Sequence, residues 1–334
     1  MDIKKKTIVY LHIGMNKTGT SALQRHFSFN RENYLANGLL YPLAGRNNTD
    51  AHYALSDLLG FSIDPKFNLQ DHRKKLSCIK EALNNEIISS GAQSILLSSE
   101  FFILNKDLSP VIEFFQDYTV KVIVYLRRHD YWWVSGYGQG VKTKSMPPWG
   151  RGPIGFINYN KNKNKMYGKY RYLVDRWANL FGNENIIVQT YEDQQKGWDL
   201  IRDFLCIIEG PFNLIRENEE NRRDNEALPI QAIQYLDIFQ RVATDECTRD
   251  KLLTFARGVD KGSLTYLIDM LNPAFRRRLI EENIADYEYI ARKYKGQENG
   301  VLFSEQLPRL NLDWKAPKWP TQQKVAENVI NILK

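Results

Sequence analysis

Residues 11–24, Leu-His-Ile-Gly-Met-Asn-Lys-Thr-Gly-Thr-Ser-Ala-Leu-Gln, have the types and spacing needed to hold an anion. Gly14 and Gly19 let the backbone turn and approach a ligand closely. Lys17 brings a point charge, Asn16 belongs to the same turn, and Thr18, Thr20 and Ser21 bring hydroxyl donors. The β-branched and aromatic run Thr7-Ile8-Val9-Tyr10 predicts a buried strand before this stretch. Leu23, Phe27 and Tyr34 recur at helical spacing after it, over Ser21–Tyr34. A strand, a Gly-rich turn and a helix in that order aim unpaired helix N–H groups, and the positive end of the helix dipole, at whatever the turn holds. The stretch reads as a phosphate cradle; the alternative is a turn that only joins a strand to a helix. It is not a Walker A loop, which ends in Gly-Lys-Ser/Thr, whereas here Lys17 precedes Gly19.

Two further groups lie where strands should end. Ser94-Ile95-Leu96-Leu97-Ser98 predicts a second buried strand, and Ser99-Glu100 follows it directly. A carboxylate past the carboxyl end of a strand in a parallel sheet sits where such folds bind ligands. Glu100 is therefore the candidate general base, with helix capping or a salt bridge as its alternative role. Val120–Leu126 is the most β-like run of the chain. Arg127 ends it, and Ser135 comes eight residues later in an aromatic-rich helix over Tyr131–Val141. That spacing lets a guanidinium and a hydroxyl converge on one phosphate.

These motifs together resemble sulfotransferases that use 3′-phosphoadenosine 5′-phosphosulfate (PAPS). Lys17-Thr18-Gly19-Thr20-Ser21 matches the family's 5′-phosphosulfate loop. Arg127 and Ser135 match its 3′-phosphate motif, and Ser98-Ser99-Glu100 stands where the family carries its base. The likeness covers roughly residues 8 to 142. The run from Tyr170 and Trp177 through Phe181-Gly182 to Tyr191-Glu192 extends it to about 206. Two departures stand out: the Pro common after the Arg is replaced by Arg128-His129-Asp130, and no Trp follows Thr20-Ser21 to stack on adenine.

The resemblance implies a P-loop-like fold, PAPS as donor, adenosine 3′,5′-bisphosphate as product, no metal, and sulfuryl transfer to an acceptor hydroxyl or amine. Glu100 and Lys17 would be catalytic. Asn16, Lys17, Thr18, Gly19, Thr20, Ser21, Arg127 and Ser135 would bind the donor, joined by Arg222 or Arg223 from a late basic segment. A nucleotide-dependent kinase on a related fold is the rival enzyme class, and a nucleotide- or glycan-binding protein without turnover is the non-enzymatic one.

Acceptor contacts are sought elsewhere in the chain. His52, at the start of a short helix, faces either an acceptor pocket or solvent. From Lys142 to Arg176 nine basic residues face the single acid Asp175, with Pro147-Pro148-Trp149-Gly150 marking a loop. This segment either is solvated or holds a glycan, with Trp149, Tyr159 and Tyr167 as stacking faces. A saccharide, or another hydroxyl-bearing molecule, is the expected acceptor.

The whole composition agrees with an ordinary globular chain. Hydrophobic residues make up 43% and charged residues 25% of 334 positions. Lys plus Arg is 46 against 39 for Asp plus Glu, a net charge of +7. That excess suits an anionic ligand and gives no ground for a nucleic-acid partner. Three distant cysteines, Cys78, Cys206 and Cys247, exclude a disulfide scaffold or a zinc site as an expectation. The N-terminal run lacks the pattern of a signal peptide and no window reads as a membrane span, so the expected setting is cytoplasmic. Strands alternating with helices predict an α/β, three-layer parallel sheet over residues 1–210. Residues 211–334 read as a mostly helical extension.

Overall fold

The computed structural model describes residues 7–60, 69–105, 107–192, 199–211, 228–242, 245–259, 267–310 and 313–333. Five strands form one parallel sheet: β1 (Ile8–His12), β2 (Leu39–Leu40), β3 (Ser94–Ser98), β4 (Thr119–Leu126) and β5 (Ile186–Thr190), in the order β2-β3-β1-β4-β5. The fold is α/β, an all-parallel sheet flanked by helices, as the alternation of elements predicts. The strands are nearly continuous apolar runs because a parallel sheet is covered on both faces. Leu39-Leu40, read from sequence as a short extended piece, pairs with β3 as the edge strand.

The chain divides into two compact units. One comprises Met1–Arg127, Tyr170–Asp224 and Asp286–Phe303; the other comprises Arg128–Lys169, Asn225–Ala285 and Ser304–Lys334. The whole sheet belongs to the first. Residues 128–169, expected within the 1–210 core, group with the second unit, and Asp286–Phe303, expected in the extension, groups with the first.

In the first unit, alternation along the strands sends Tyr10, Leu96, Ile123 and Tyr125 into one apolar cluster with Leu23, Phe27 and Phe204 from the helices Thr20–Phe29 and Leu200–Ile207. Burying one such side chain contributes roughly 1.5–3 kcal/mol. On the alternate residues the helix Tyr170–Phe181 brings Trp177, which is fully buried and meets Phe102 edge to face. The helix predicted over Ser21–Tyr34 is two helices, Thr20–Phe29 and Arg31–Ala36, because Asn30 breaks the run. Its main-chain and side-chain N–H groups both donate to the His26 carbonyl.

The second unit is built from the helices His129–Thr143, Gly152–Lys163, Ile230–Phe239, Glu246–Gly258, Pro273–Glu281 and Gln322–Leu333. The loop marked by Pro147-Pro148-Trp149-Gly150 gives way to the helix Gly152–Lys163, with Pro153 at its start and Phe156 and Ile157 buried in its first turns. Two buried carboxylates organise the unit. Asp130 accepts from Arg128 at 2.9 and 3.0 Å and from Arg276 at 3.0 Å. Asp237 accepts from Tyr137 Oη and the Gly152 N–H, both at 2.7 Å. The Arg128–Asp130 pair closes the turn after β4, where the resembled family carries Pro. Among the described residues, no helix is long and apolar enough to cross a membrane.

Candidate functional site

Register brings the site together. His12 of β1 pairs with Ser98 of β3 and with Ile123 of β4. Two residues further along, Gly14 lies beside Glu100, so closely that a Cβ at Gly14 would sit 2.8 Å from the Glu100 Cα. Gly14 has φ +58, a left-handed conformation that glycine adopts without a steric penalty. β4 runs on past Ile123 to Leu126, which carries Arg127 over the turn that leaves β1. There the Arg127 Nη1 donates to the Lys17 carbonyl at 3.1 Å. Its guanidinium lies 5.0 Å from the ring centroid of Tyr191, the residue that follows β5. A Cβ at Gly19, whose φ is +76, would run into that ring and into Leu200. Lys17, Glu100 and Arg127 thus stand at the carboxyl ends of three neighbouring strands, and all three are half-buried.

The turn itself is closed from inside. Lys17 is held at φ 68 and Gly19 at the N-cap in left-handed geometry. The buried Thr18 hydroxyl donates to the Met15 carbonyl at 2.5 Å. Thr18 therefore shapes the loop from below, which corrects its expected role as a ligand donor. The Thr20 hydroxyl is also buried and lies 3.4 Å from the same carbonyl, so it too faces the loop. Ser21 is exposed. The first intrahelical bond is Ala22 N–H to Gly19, so the amides of Thr20 and Ser21 precede the helical ladder. Asn16 is half-buried in the turn.

Glu100 is held from two sides. Its Oε1 accepts from Tyr53 Oη at 2.8 Å and its Oε2 from Gln24 Nε2 at 3.2 Å. Gln24 is buried and also donates to Ser98 Oγ at 3.2 Å, which meets His12 Nδ1 at 2.8 Å. A line of polar groups, His12, Ser98, Gln24, Glu100 and Tyr53, so runs from the core to the site. Burial, and then the neighbouring carboxylate, raise the Tyr53 phenol above its ordinary value, so it stays protonated and donates. Burial pushes the His12 imidazole down to about 3. Donors on both oxygens fix the carboxylate's orientation.

Two expected acceptor contacts are corrected. His52 is completely buried: its Nδ1 accepts from the Ser98 N–H and its Nε2 donates to the Pro42 carbonyl, each at 3.1 Å. It ties the chain before the helix Tyr53–Leu58 to the end of β3 and offers no face to an acceptor. Trp149 is buried in the second unit, edge to face on Phe156 at 5.1 Å. Tyr167 packs there on Trp132 and Trp133. These rings form core because the charged segment folds as helices with an aromatic inner side. Ser135 stands on the helix His129–Thr143 of the second unit, half-buried. Arg222 and Arg223 lie outside the described residues.

The sequence reading missed Gln24, Tyr53 and Tyr191. Gln24 was readable in principle, since it follows Thr20 by four positions and shares the helix's buried face with Phe27. Tyr191 directly follows β5, opposite Arg127, but only strand order places them together.

Among known proteins, a stretch of 218 residues, 64% of this chain, is 25% identical to an uncharacterized protein of Archaeoglobus fulgidus. The match covers 56% of that protein, so the chain spans little over half of its length. No protein-family model and no solved structure matches the chain.

Proposed function

We propose that the protein is a PAPS-dependent sulfotransferase with a P-loop-like sulfotransferase core, acting on an acceptor hydroxyl or amine, with a saccharide as the favoured acceptor. The observation that carries the reading is the tie between Arg127 and the Lys17 carbonyl. It brings the residue expected at a 3′-phosphate within one hydrogen bond of the loop expected at a 5′-phosphosulfate. The glycine turn supports the fit of such a donor: the amides of Thr20 and Ser21 precede the helical ladder, and Lys17 and Arg127 supply positive charge.

PAPS supplies the sulfuryl group, which an acceptor oxygen or nitrogen attacks in line as the bridging oxygen of adenosine 3′,5′-bisphosphate leaves. Glu100 takes the proton of the attacking group on its carboxylate. Gln24 and Tyr53 hold that carboxylate in place, a contribution of orientation rather than of protons. Lys17 and the loop N–H groups stabilise the charge that grows on the leaving oxygen. Arg127 holds the 3′-phosphate and discriminates against ATP, which lacks it.

Calorimetry with adenosine 3′,5′-bisphosphate against ATP in the presence of Mg²⁺ tests the class. Saturable binding of the bisphosphate, with ATP much weaker, is the expected outcome. Preference for Mg-ATP would reject the reading in favour of a kinase.

A further inference from the structure

The second unit carries an open surface cleft of its own, between the end of the helix His129–Thr143 and the helices Ile230–Phe239 and Glu246–Gly258. Its floor is apolar, built from the buried Val141, Leu236 and Phe239. Its rim is cationic, with Lys142, Lys144 and Arg249. Among the described residues no carboxylate pairs with any of the three. Arg249 is not a loose surface side chain, because its Nη2 donates to the Lys142 carbonyl at 2.7 Å. Burial, followed by the charge of Arg257, lowers the Lys142 ammonium below its ordinary value, and an anion beside it would offset that cost.

A second observation is independent of charge. Gln240 lines the cleft and is only 6% exposed. Its Nε2 donates to Asp237 Oδ1 at 3.1 Å, and a carboxylate can only accept, so the orientation of the amide is fixed. The Gln240 Oε1 then has no donor among the described residues. A buried acceptor in that state is unusual in a folded protein, and a ligand N–H or O–H would satisfy it.

We infer that this cleft binds a small organic carboxylate with an apolar body and one hydrogen-bond donor, the carboxylate on Arg249 and Lys142 and the donor on Gln240 Oε1. An N-acylated amino acid with an apolar side chain has all three features. The apolar floor would gain nothing from a bare inorganic anion. The inference is independent of the proposed sulfuryl transfer.

The test is calorimetric titration of the full chain with N-acetyl-L-phenylalanine, with its methyl ester as the uncharged match and inorganic phosphate as the match without an apolar body. Saturable binding of the acid is expected, at least tenfold weaker for the ester, for phosphate, and for Arg249→Ala or Lys142→Met. Both variants change half-buried rim residues, so their thermal midpoints should stay near that of the parent, and Glu100→Gln should bind the acid normally. No binding of the acid, equal binding of acid and ester, or full binding by Arg249→Ala would each overturn the inference.

Discussion

Arg127 donates from Nη1 to the main-chain oxygen of Lys17 at 3.1 Å, joining residues 110 positions apart in the chain. The bond exists because β4 outruns β1 by several residues, so the side chain leaving its end passes over the turn that leaves the centre of the sheet. The same guanidinium lies over the Tyr191 ring. Two supports hold it in place before any ligand arrives.

Arg127→Ala should therefore weaken adenosine 3′,5′-bisphosphate. A hydrogen bond to a charged group is worth about 1.5–3 kcal/mol, or on the order of 10- to 100-fold in affinity. Calorimetry reads this directly, and unchanged affinity would reject the 3′-phosphate role.

Glu100→Gln should abolish turnover and leave bisphosphate binding near the parental value. Tyr53→Phe keeps the carboxylate but removes one of its two donors, and a loss of about tenfold in kcat is expected, with little change in donor affinity. A Glu100→Gln variant with full activity would remove the carboxylate from the reaction.

Gly14→Ala probes the contact between the loop and β3. Left-handed geometry costs alanine about 1–2 kcal/mol, and here the new methyl also meets the Glu100 main chain. Gly38→Ala is the control, because Gly38 has φ +83 with nothing within 4 Å of its missing Cβ. Urea unfolding should rank Gly14→Ala well below Gly38→Ala; equal losses would mean that Glu100 gives way freely.

Acid should destabilise the fold before most carboxylates titrate. Burial pushes His12, His52 and His129 each down to about 3. Their pKa in the unfolded chain is about 6.5, so the unfolded form takes up protons first as the pH falls. The stability these groups preserve is complete above about pH 6.5 and declines towards pH 3, by about 1.4 kcal/mol per pH unit for each histidine. Urea midpoints between pH 7 and pH 5 should fall accordingly, and a flat profile would contradict neutral, buried imidazoles. His52→Gln should remove its own share of the part that belongs to the first unit and leave the share of His12.

Much of this site was legible before any coordinates. Gly14, Gly19, Lys17, Glu100 and Arg127 follow strands whose composition is unmistakable, and a parallel sheet gathers the ends of its strands on one side. What sequence does not carry is which way a short side chain turns. Thr18 was read as a ligand donor because hydroxyls suit phosphates, yet in a turn this tight the nearest unsatisfied group is the Met15 carbonyl. Trp149 was read as a sugar platform because Pro and Gly surround it; the following helix supplies Phe156 to bury it. His52 sits at a helix start, usually a wet position, but both ring nitrogens find main-chain partners instead.

The backbone at Lys17, with φ 68, is a posture that suits a residue with no side chain far better than a lysine. Lys17→Gly would make the folded protein more comfortable, by about 1 kcal/mol, while taking away its cation. A chain that tolerates this discomfort has its curve bent in advance, so an incoming anion would spend little of its affinity on organising the turn.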